Sequence, residues 1–344
     1  MIVKYTITIG VVILLFLSCI QSKKSISDPF SSVKIETIVE DSLLNIRAIE
    51  LNSHKLMAVS SVGNRYMIDL DTQGVLIDRV STDTINFRAS ALVNDTFFSL
   101  SIGNPALLFK DDVLVYEETH PNVFYDALHF WNSKEGMAVG DPINGCMSII
   151  ITRDGGETWQ KTPCVLLPPI NEGEAAFAAS DTNIAIVGNQ AWVATGGRSS
   201  RVLYTSDKGK SWSVFETPII QGEETTGMFS IDFYDALNGF AIGGDYTQPN
   251  NQHSNKIRTR NGGKTWDVVA QDQTPGYRSC VQFIPNSNAE GLIAVGFEGI
   301  DYSSDAGDTW KPLSDKGFYT LRFVNDSVAY AAGKGRISKL IFKK

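Results

Sequence analysis

Four copies of one octapeptide constrain this chain more than any other feature of its sequence. Thr152-Arg153-Asp154-Gly155-Gly156-Glu157-Thr158-Trp159 reads as Ser/Thr, any residue, Asp/Asn, any residue, Gly, any residue, Ser/Thr, Trp, and the same order returns at Thr205–Trp212, Thr259–Trp266 and Ser303–Trp310. The four tryptophans are 53, 54 and 44 residues apart. That interval matches one four-stranded propeller blade rather than one turn of a helical solenoid. A unit of this size cannot bury both its faces alone, so it predicts an array of stacked units.

Each copy has the chemistry of a hairpin turn. Asp or Asn in the third position can accept backbone N–H groups, Gly in the fifth can take a positive φ, and Thr or Ser then re-enters a strand. The closing Trp must be buried against a neighbour to contribute its apolar area. The pattern resembles the Asp box of sialidases, sortilin-like receptors and photosystem II stability and assembly factors. The resemblance implies that the box closes an outer hairpin, away from any active site. Asp154, Trp159, Asp207, Trp212, Asn261, Trp266, Asp305 and Trp310 are therefore expected to be folding devices.

The start of the chain has a different character. One charge, Lys4, precedes an apolar run from Tyr5 to Leu17, followed by Ser18 and Cys19. The run is too short to span a bilayer, which needs about 20 apolar residues, and suits an export signal. Phe16-Leu17-Ser18-Cys19 resembles a bacterial lipobox, which makes 1–18 a lipoprotein-type signal peptide and Cys19 the lipidation site. Phe16 stands where a lipobox usually has Leu, which leaves an ordinary secretory signal as the alternative. Residues 19–32 read as a polar tether, and 33–344 as the folded domain. The expected location is the bacterial cell envelope, as a lipid-anchored lipoprotein on the outer membrane or periplasmic face; the alternative is secretion.

Within 33–344, Val33–Val39 alternates apolar and polar residues, short apolar strands separated by polar turns recur after it, and no helical period of ten or more residues occurs. Val33–Val39 is a half-buried strand with no hairpin partner of its own. At the far end, Thr320–Val324, Val328–Gly333 and Ile337–Phe342 make three strands that lack a fourth. Pairing the two would leave no open gap. The expected fold is all-β: a single seven-bladed β-propeller closed by an N-terminal strand joining the last blade. In the unit that ends in the second octapeptide, Ala175–Ala179 and Ile184–Gly188 read as its first two strands.

Composition excludes several functions. The formal charge is −8, and Lys4 is the only charge in 1–18, so removing the signal leaves −9. No basic block offsets this, which argues against nucleic acid as a partner. The four histidines show no zinc-ligand spacing, and no Cys-x-x-Cys is present. Gly263-Lys264-Thr265 looks like the end of a phosphate-binding loop, but Arg258 stands at the required upstream glycine. No metal and no cofactor is expected. Cys146 and Cys164 flank the first octapeptide at similar distances, so a hairpin brings them near each other and an exported protein could bridge them. Strict register sets Cys146 against position 165, so the bridge needs a bulge; two buried thiols are the alternative. Cys280 reads as a core residue.

The polar residues that stand apart follow the second strand of several units. Gly103-Asn104-Pro105, Gly140-Asp141-Pro142, Gly188-Asn189, Gly244-Asp245-Tyr246 and Gly296-Phe297-Glu298 fall in equivalent places. In a propeller this loop lies on the face opposite the octapeptide turns, where ligands usually bind around the axis. Two longer segments, Gln190–Ser200 and Tyr246–Asn255, add Trp192, Arg198 and Tyr246, with Arg201 just beyond the first. The candidate rim is thus Asn104, Asp141, Asn189, Trp192, Arg198, Arg201, Asp245, Tyr246 and Glu298. Turn chemistry alone is the competing explanation for its Gly-Asp and Gly-Asn pairs.

Over 125–340, Gly136-Met137-Ala138-Val139-Gly140-Asp141-Pro142, Glu174-Ala175-Ala176-Phe177-Ala178-Ala179-Ser180 and Gly196-Gly197 with Arg201 resemble bacterial lipoproteins related to the photosystem II stability and assembly factor, within the sialidase-like superfamily. The resemblance implies a binding or assembly scaffold for a protein or glycan ligand at the channel mouth, as a monomer held to the membrane by its lipid. The photosynthetic members use an arginine-rich patch that this acidic chain lacks. A glycoside hydrolase of sialidase-like fold is the alternative. It would need an arginine cluster with a Tyr–Glu pair, which Arg198, Arg201, Tyr246 and Glu298 imitate in part.

Overall fold

The computed structural model describes residues 30–344. The signal 1–18, Cys19 and most of the 19–32 tether lie outside the described residues. Strand accounts for 52% of the chain and helix for 1%, so the molecule is all-β. Among the described residues the strands form six hydrogen-bonded sheets, each antiparallel and none closed on itself.

Four sheets follow the expected rhythm directly. The Phe87 sheet runs Phe87–Val93, Thr96–Ser101, Ala106–Lys110, Val113–Glu118. The Tyr125 sheet runs Tyr125–Phe130, Gly136–Ile143, Cys146–Thr152, Gln160–Lys161. The Thr226 sheet has Thr226–Phe233, Gly239–Asp245, Lys256–Thr259 and Asp267–Val268, extended by two short strands, Glu174–Ala175 and Gly196–Gly197. The Cys280 sheet has Cys280–Phe283, Leu292–Gly296, Gly299–Ser303 and Lys311–Ser314. Apolar side chains of neighbouring sheets meet between them. Phe98 and Leu100 of one sheet, for example, share a core slab with Tyr125, Leu128, Ile150 and Trp159 of the next.

One strand, Ser32–Leu51, joins the two ends of the chain. Its first part pairs with the C-terminal strand Lys334–Lys343, from Ser32 opposite Lys343 to Asn45 opposite Lys334. Its last part pairs with Lys55–Ser60, from Ile46 opposite Ser60 to Leu51 opposite Leu56. Two four-stranded groups thereby share a strand and form one seven-stranded sheet. Residues before position 33 take part in the fold: Phe30 is buried, 5.0 Å from the Tyr302 ring and 5.3 Å from that of Phe342.

The Ile184 sheet departs from expectation. Its strands are Ile184–Val187, Gln190–Ala194, Arg201–Thr205 and Ser213–Glu216. Ala176–Ala179 is thus no strand of it, and Gly188-Asn189 is the two-residue turn between its first two strands, with Val187 opposite Gln190 and Gly188 at φ 61°. Gln190–Ala194 is a strand, and the loop begins only after Ala194. Apolar runs on either side of Ser180–Asn183 look alike, so the segment before it resembles a strand that the sheet does not use.

Cys146 and Cys164 are joined by a disulfide, with Cα atoms 5.5 Å apart. Cys164 opens a single 3-10 turn, Cys164–Leu166, instead of continuing the strand, and that irregularity supplies the bulge the register requires. Cys280 is a buried free thiol.

Candidate functional site

The four octapeptides build one local network four times. Thr152 Oγ1 accepts the Gly156 N–H at 2.9 Å and donates to Asp154 Oδ1, while Asp154 accepts both the N–H and the hydroxyl of Thr158, at 3.0 and 2.6 Å. The Thr158 bonds hold the Asp154 carboxyl down at about 2. Asn261 manages the same turn: its Oδ1 accepts the Thr265 N–H and its Nδ2 donates to Thr265 Oγ1. Each turn also bonds to the turn joining the first two strands of its own sheet, as in Gly155 N–H to Lys134 O and Lys208 N–H to Asn189 O. All these turns therefore lie at one end of the sheets. The first strands enter from the other end.

Between the ends, one segment occupies the axis. Ala179–Thr182 reaches the first strands of six other groups. Arg47 Nη1 donates to Ala179 O, Thr320 Oγ1 to Ser180 O, Ser180 Oγ to Ser279 O, and Ile231 N–H to Thr182 O. The Asp181 carboxylate accepts the N–H groups of Ser90 and Leu128, at 2.8 and 3.0 Å. Asp181 has φ 58° and is fully buried, and burial pushes its carboxyl well up against the opposing Arg322 charge.

At the end opposite the octapeptides, the residues where the first strands begin form a basic and aromatic mouth. Phe177 stacks on buried Phe229 at 3.9 Å, Tyr277 meets Phe229 edge-on at 4.8 Å, and Phe297 lies 5.2 Å from Tyr277. Tyr246 and Phe297 are the exposed rings, at 45% and 40%. Across the mouth the Arg47 guanidinium lies 4.1 Å over the Tyr319 ring. Here polar groups are left unmade: Arg47 Nε, Arg88 Nε and both Asp126 carboxylate oxygens are buried without a hydrogen-bond partner. Burial pushes Asp126 well up, nearby Asp141 adds to this, and Arg88 opposes it. Burial and the Arg47 charge push Arg88 down. Such a mouth offers the ring faces of Tyr246 and Phe297 to a partner.

Comparison with known proteins agrees with this geometry. The BNR/Asp-box repeat model matches residues 150–161, which hold the first octapeptide. No curated protein matches the chain. Among solved structures, YCF48 bound to D1 peptide superposes with a TM-score of 0.64 at 11% identity, over 92% of this chain and 96% of that one. The WD40 repeats of RRP9 give 0.63 at 10% identity, over 93% and 100%. U3-55K gives 0.61 at 11% identity, over 92% and 100%. The chain is a β-propeller carrying Asp-box repeats.

On this propeller the expected rim residues separate. Asn104, Tyr246 and Glu298 follow second strands, whereas Asp141 lies inside Gly136–Ile143 and Asp245 ends Gly239–Asp245; all five are at the mouth end. Asp141 Oδ1 accepts the Ala176 N–H at 3.0 Å, and burial raises its carboxyl. Asp245 is buried; burial would raise it, but bonds from the Thr247 hydroxyl and N–H prevail and lower it. Arg198 is exposed, 3.4 Å from Glu224.

Three assignments need correction. Asn189 sits at the Asp-box end, in the turn described above. Arg201 is buried against Glu174 at 2.5 Å and donates to Pro169 O, so it is not open to a ligand and does not join Tyr246 and Glu298. Trp192 is fully buried, stacked on Phe233 at 3.7 Å, with Nε1 donating to Gly262 O at 2.9 Å. A Cβ on Gly263 would meet Trp192 at 2.9 Å, as one on Gly156 would meet Phe98 at 2.3 Å and one on Gly307 would meet Phe240 at 2.2 Å. Trp192 is thus the second-strand aromatic on which the next sheet's box glycine rests. The residues missed by sequence reasoning are Arg47, Arg88, Phe177, Phe229, Tyr277 and Tyr319. Arg47, Arg88 and Phe229 lie in first strands, Tyr277 and Tyr319 just before them, and Phe177 in a segment that forms no strand, so no common local signal marks them.

Proposed function

We propose that this protein is a lipid-anchored, extracytoplasmic binding or assembly scaffold that holds a protein ligand at the propeller mouth opposite the Asp boxes. The observation that carries the reading is the pair of exposed rings, Tyr246 and Phe297, backed by buried Tyr277 and Phe229. Rings of this kind accept apolar side chains of a protein partner. YCF48, which shares the fold, was solved with a bound peptide. The lipobox at Phe16–Cys19 supports attachment through Cys19 at the bacterial cell envelope, and the Cys146–Cys164 disulfide suits an oxidising compartment.

In this reading the ring has seven blades and is closed by the shared strand. Supporting it, each first strand touches that of the next group, and Thr320–Phe323 touches Ser32–Leu51.

The test is capture from envelope membranes by the purified lipoprotein. Wild type should retain a protein partner, the Tyr246→Ala/Phe297→Ala double variant should lose it, and Arg198→Ala should keep it. Unchanged capture by the double variant, or binding only on a glycan array, would overturn the site. Mass spectrometry of the mature amino terminus, with Cys19→Ala as control, tests the anchor separately.

A further inference from the structure

The axis holds a second cavity, at the Asp-box end, that the proposed function does not use. It encloses about 380 Å³ and is lined by His129, Thr182, Asp232, Gln282 and Arg322, with Ile184, Ile231 and Val281 as apolar wall. Its depth is set by the axial segment, because Thr182 belongs to Ala179–Thr182. The cavity is of a size that small-molecule sites occupy.

Its charged groups are unequally committed, and Gln282 adds both an amide N–H and a carbonyl oxygen. Arg322 is the only cation lining it, and every guanidinium nitrogen is already engaged. Nε and Nη2 donate to Glu50 Oε1 at 3.1 and 2.8 Å, Nη2 also to Asp181 O at 3.1 Å, and Nη1 to Thr320 Oγ1 and Leu321 O at 3.1 and 3.0 Å. Its charge is matched by Glu50. An incoming anion would find no free guanidinium donor.

The acceptors are in the opposite condition. His129 Nε2 lies 3.0 Å from Asp181 O. A carbonyl only accepts, so Nε2 carries the hydrogen and Nδ1 of the neutral ring is left with its lone pair. Burial pushes His129 down, which keeps the ring neutral at pH 7. The Asp232 oxygens each accept one backbone N–H, from Phe233 at 2.9 Å and Phe283 at 2.7 Å, and each retains further acceptor capacity. Burial raises Asp232 to about 6, so it is an anion at neutral pH, and Arg322 is committed elsewhere. No group of three or more His, Cys, Asp and Glu among the described residues is arranged to hold a metal ion.

We propose that this cavity is a binding site for a small organic ammonium ion, whose N–H groups are received by Asp232 and by His129 Nδ1 while its carbon chain lies along Ile184, Ile231 and Val281. The site is independent of the mouth at the other end of the axis. Charge-assisted bonds to a partly buried carboxylate supply the selectivity.

Calorimetric titration of the purified protein with putrescine, against 1,4-butanediol as neutral isostere and succinate as anion, tests it. Putrescine should bind saturably and shift the His129 imidazole resonances, and neither control should do so. Asp232→Asn should weaken putrescine at least about tenfold, as expected for loss of one ionic partner. Gln282→Arg, which adds a cation at a partly exposed position, should abolish binding without touching the Asp232 backbone bonds. Tyr246→Ala should leave it unchanged, which separates this site from the mouth. Absence of saturable putrescine binding, equal binding of succinate, or full affinity in both Asp232→Asn and Gln282→Arg would overturn the proposal.

Discussion

The two ends of the axis are made by the same strands and differ in what they do with their polar groups. At the Asp-box end each turn consumes its own chemistry: Asp154 is bonded to Thr152 and Thr158, and Asp207 repeats this with Thr205 and Ser211. At the mouth, Arg47 Nε, Arg88 Nε and the Asp126 carboxylate are buried and unmade. A buried polar group without a partner costs stability, about 1–3 kcal/mol for a neutral one. The repeated motif therefore marks turns whose Asp, Thr and Ser side chains are spent on one another, and capacity for a partner lies on the axis and at the mouth, where the repeats do not dictate the residues. The cavity beside Asp232 fits the same rule, since it lies on the axis and not in the peripheral turns.

The comparison breaks most directly at the segment common to both ends. Asp181→Ala removes a buried carboxylate and strands the Ser90 and Leu128 N–H groups. A loss of about 3–5 kcal/mol in denaturant unfolding is expected, with partner capture and putrescine binding impaired together. Loss at one end alone would show that the segment is not a shared hub. Trp192→Ala should cost a similar amount, about 3–5 kcal/mol for a buried Trp, while the surviving folded protein still captures its partner. Lost capture at full stability would return Trp192 to the rim.

Next in size is Gly156→Ala. Gly156 has φ 81°, and the new Cβ would come within 2.3 Å of Phe98. Strain at positive φ together with overpacking predicts about 2–3 kcal/mol. Gly145 has φ 91° but nothing within 4 Å, so Gly145→Ala isolates the conformational part, about 1 kcal/mol. Equal losses in chemical denaturation would show that packing on Phe98 contributes nothing.

What could be read in the sequence was what repeats or alternates. The boxes, the strand rhythm and the pairing of Val33–Val39 with the C-terminal strand rest on local patterns, since period and turn residues act over a few positions. The axial segment was illegible because its partners, Ser90, Leu128, Ile231, Ser279 and Thr320, come from far-apart stretches of chain that meet only when the sheets assemble. Trp192 was misread for a related reason. Gln190–Ala194 is an apolar strand buried from Ala191 on, but the apolar run Glu174–Ser180 imitated a first strand and displaced the register of the whole unit by one element. The mouth aromatics were visible as residues and invisible as a set, because Phe177, Phe229, Tyr246, Tyr277 and Phe297 are far apart in the chain and meet only when the sheets assemble.

A smaller effect on stability separates the two ends by function. Tyr246 is largely exposed, so Tyr246→Ala should change stability by under about 1 kcal/mol. Partner capture should nonetheless fall, with Trp192→Ala as the inverse case. Pull-down and melting curves on the same preparations check this, and a Tyr246→Ala protein that melts several degrees lower would make the ring a structural one.

The smallest effect belongs to the box carboxylates. Asp154 is held at about 2 in the folded protein, below the ordinary 3.8. A depressed carboxyl contributes stability that is fully present above its unfolded value and lost as pH falls through the folded one. The contribution is therefore intact above about pH 4 and gone near pH 2. Asp154 faces solvent on one side, so screening keeps the effect small. Asp154→Asn preserves the turn, as Asn261 does, but removes the titration. Wild type should melt slightly above the variant at pH 7, and the difference should shrink between pH 4 and pH 2. A gap that stays constant with pH would mean that the charge of Asp154 contributes nothing and that the box is stabilised by hydrogen-bond geometry alone, the feature that Asp and Asn share.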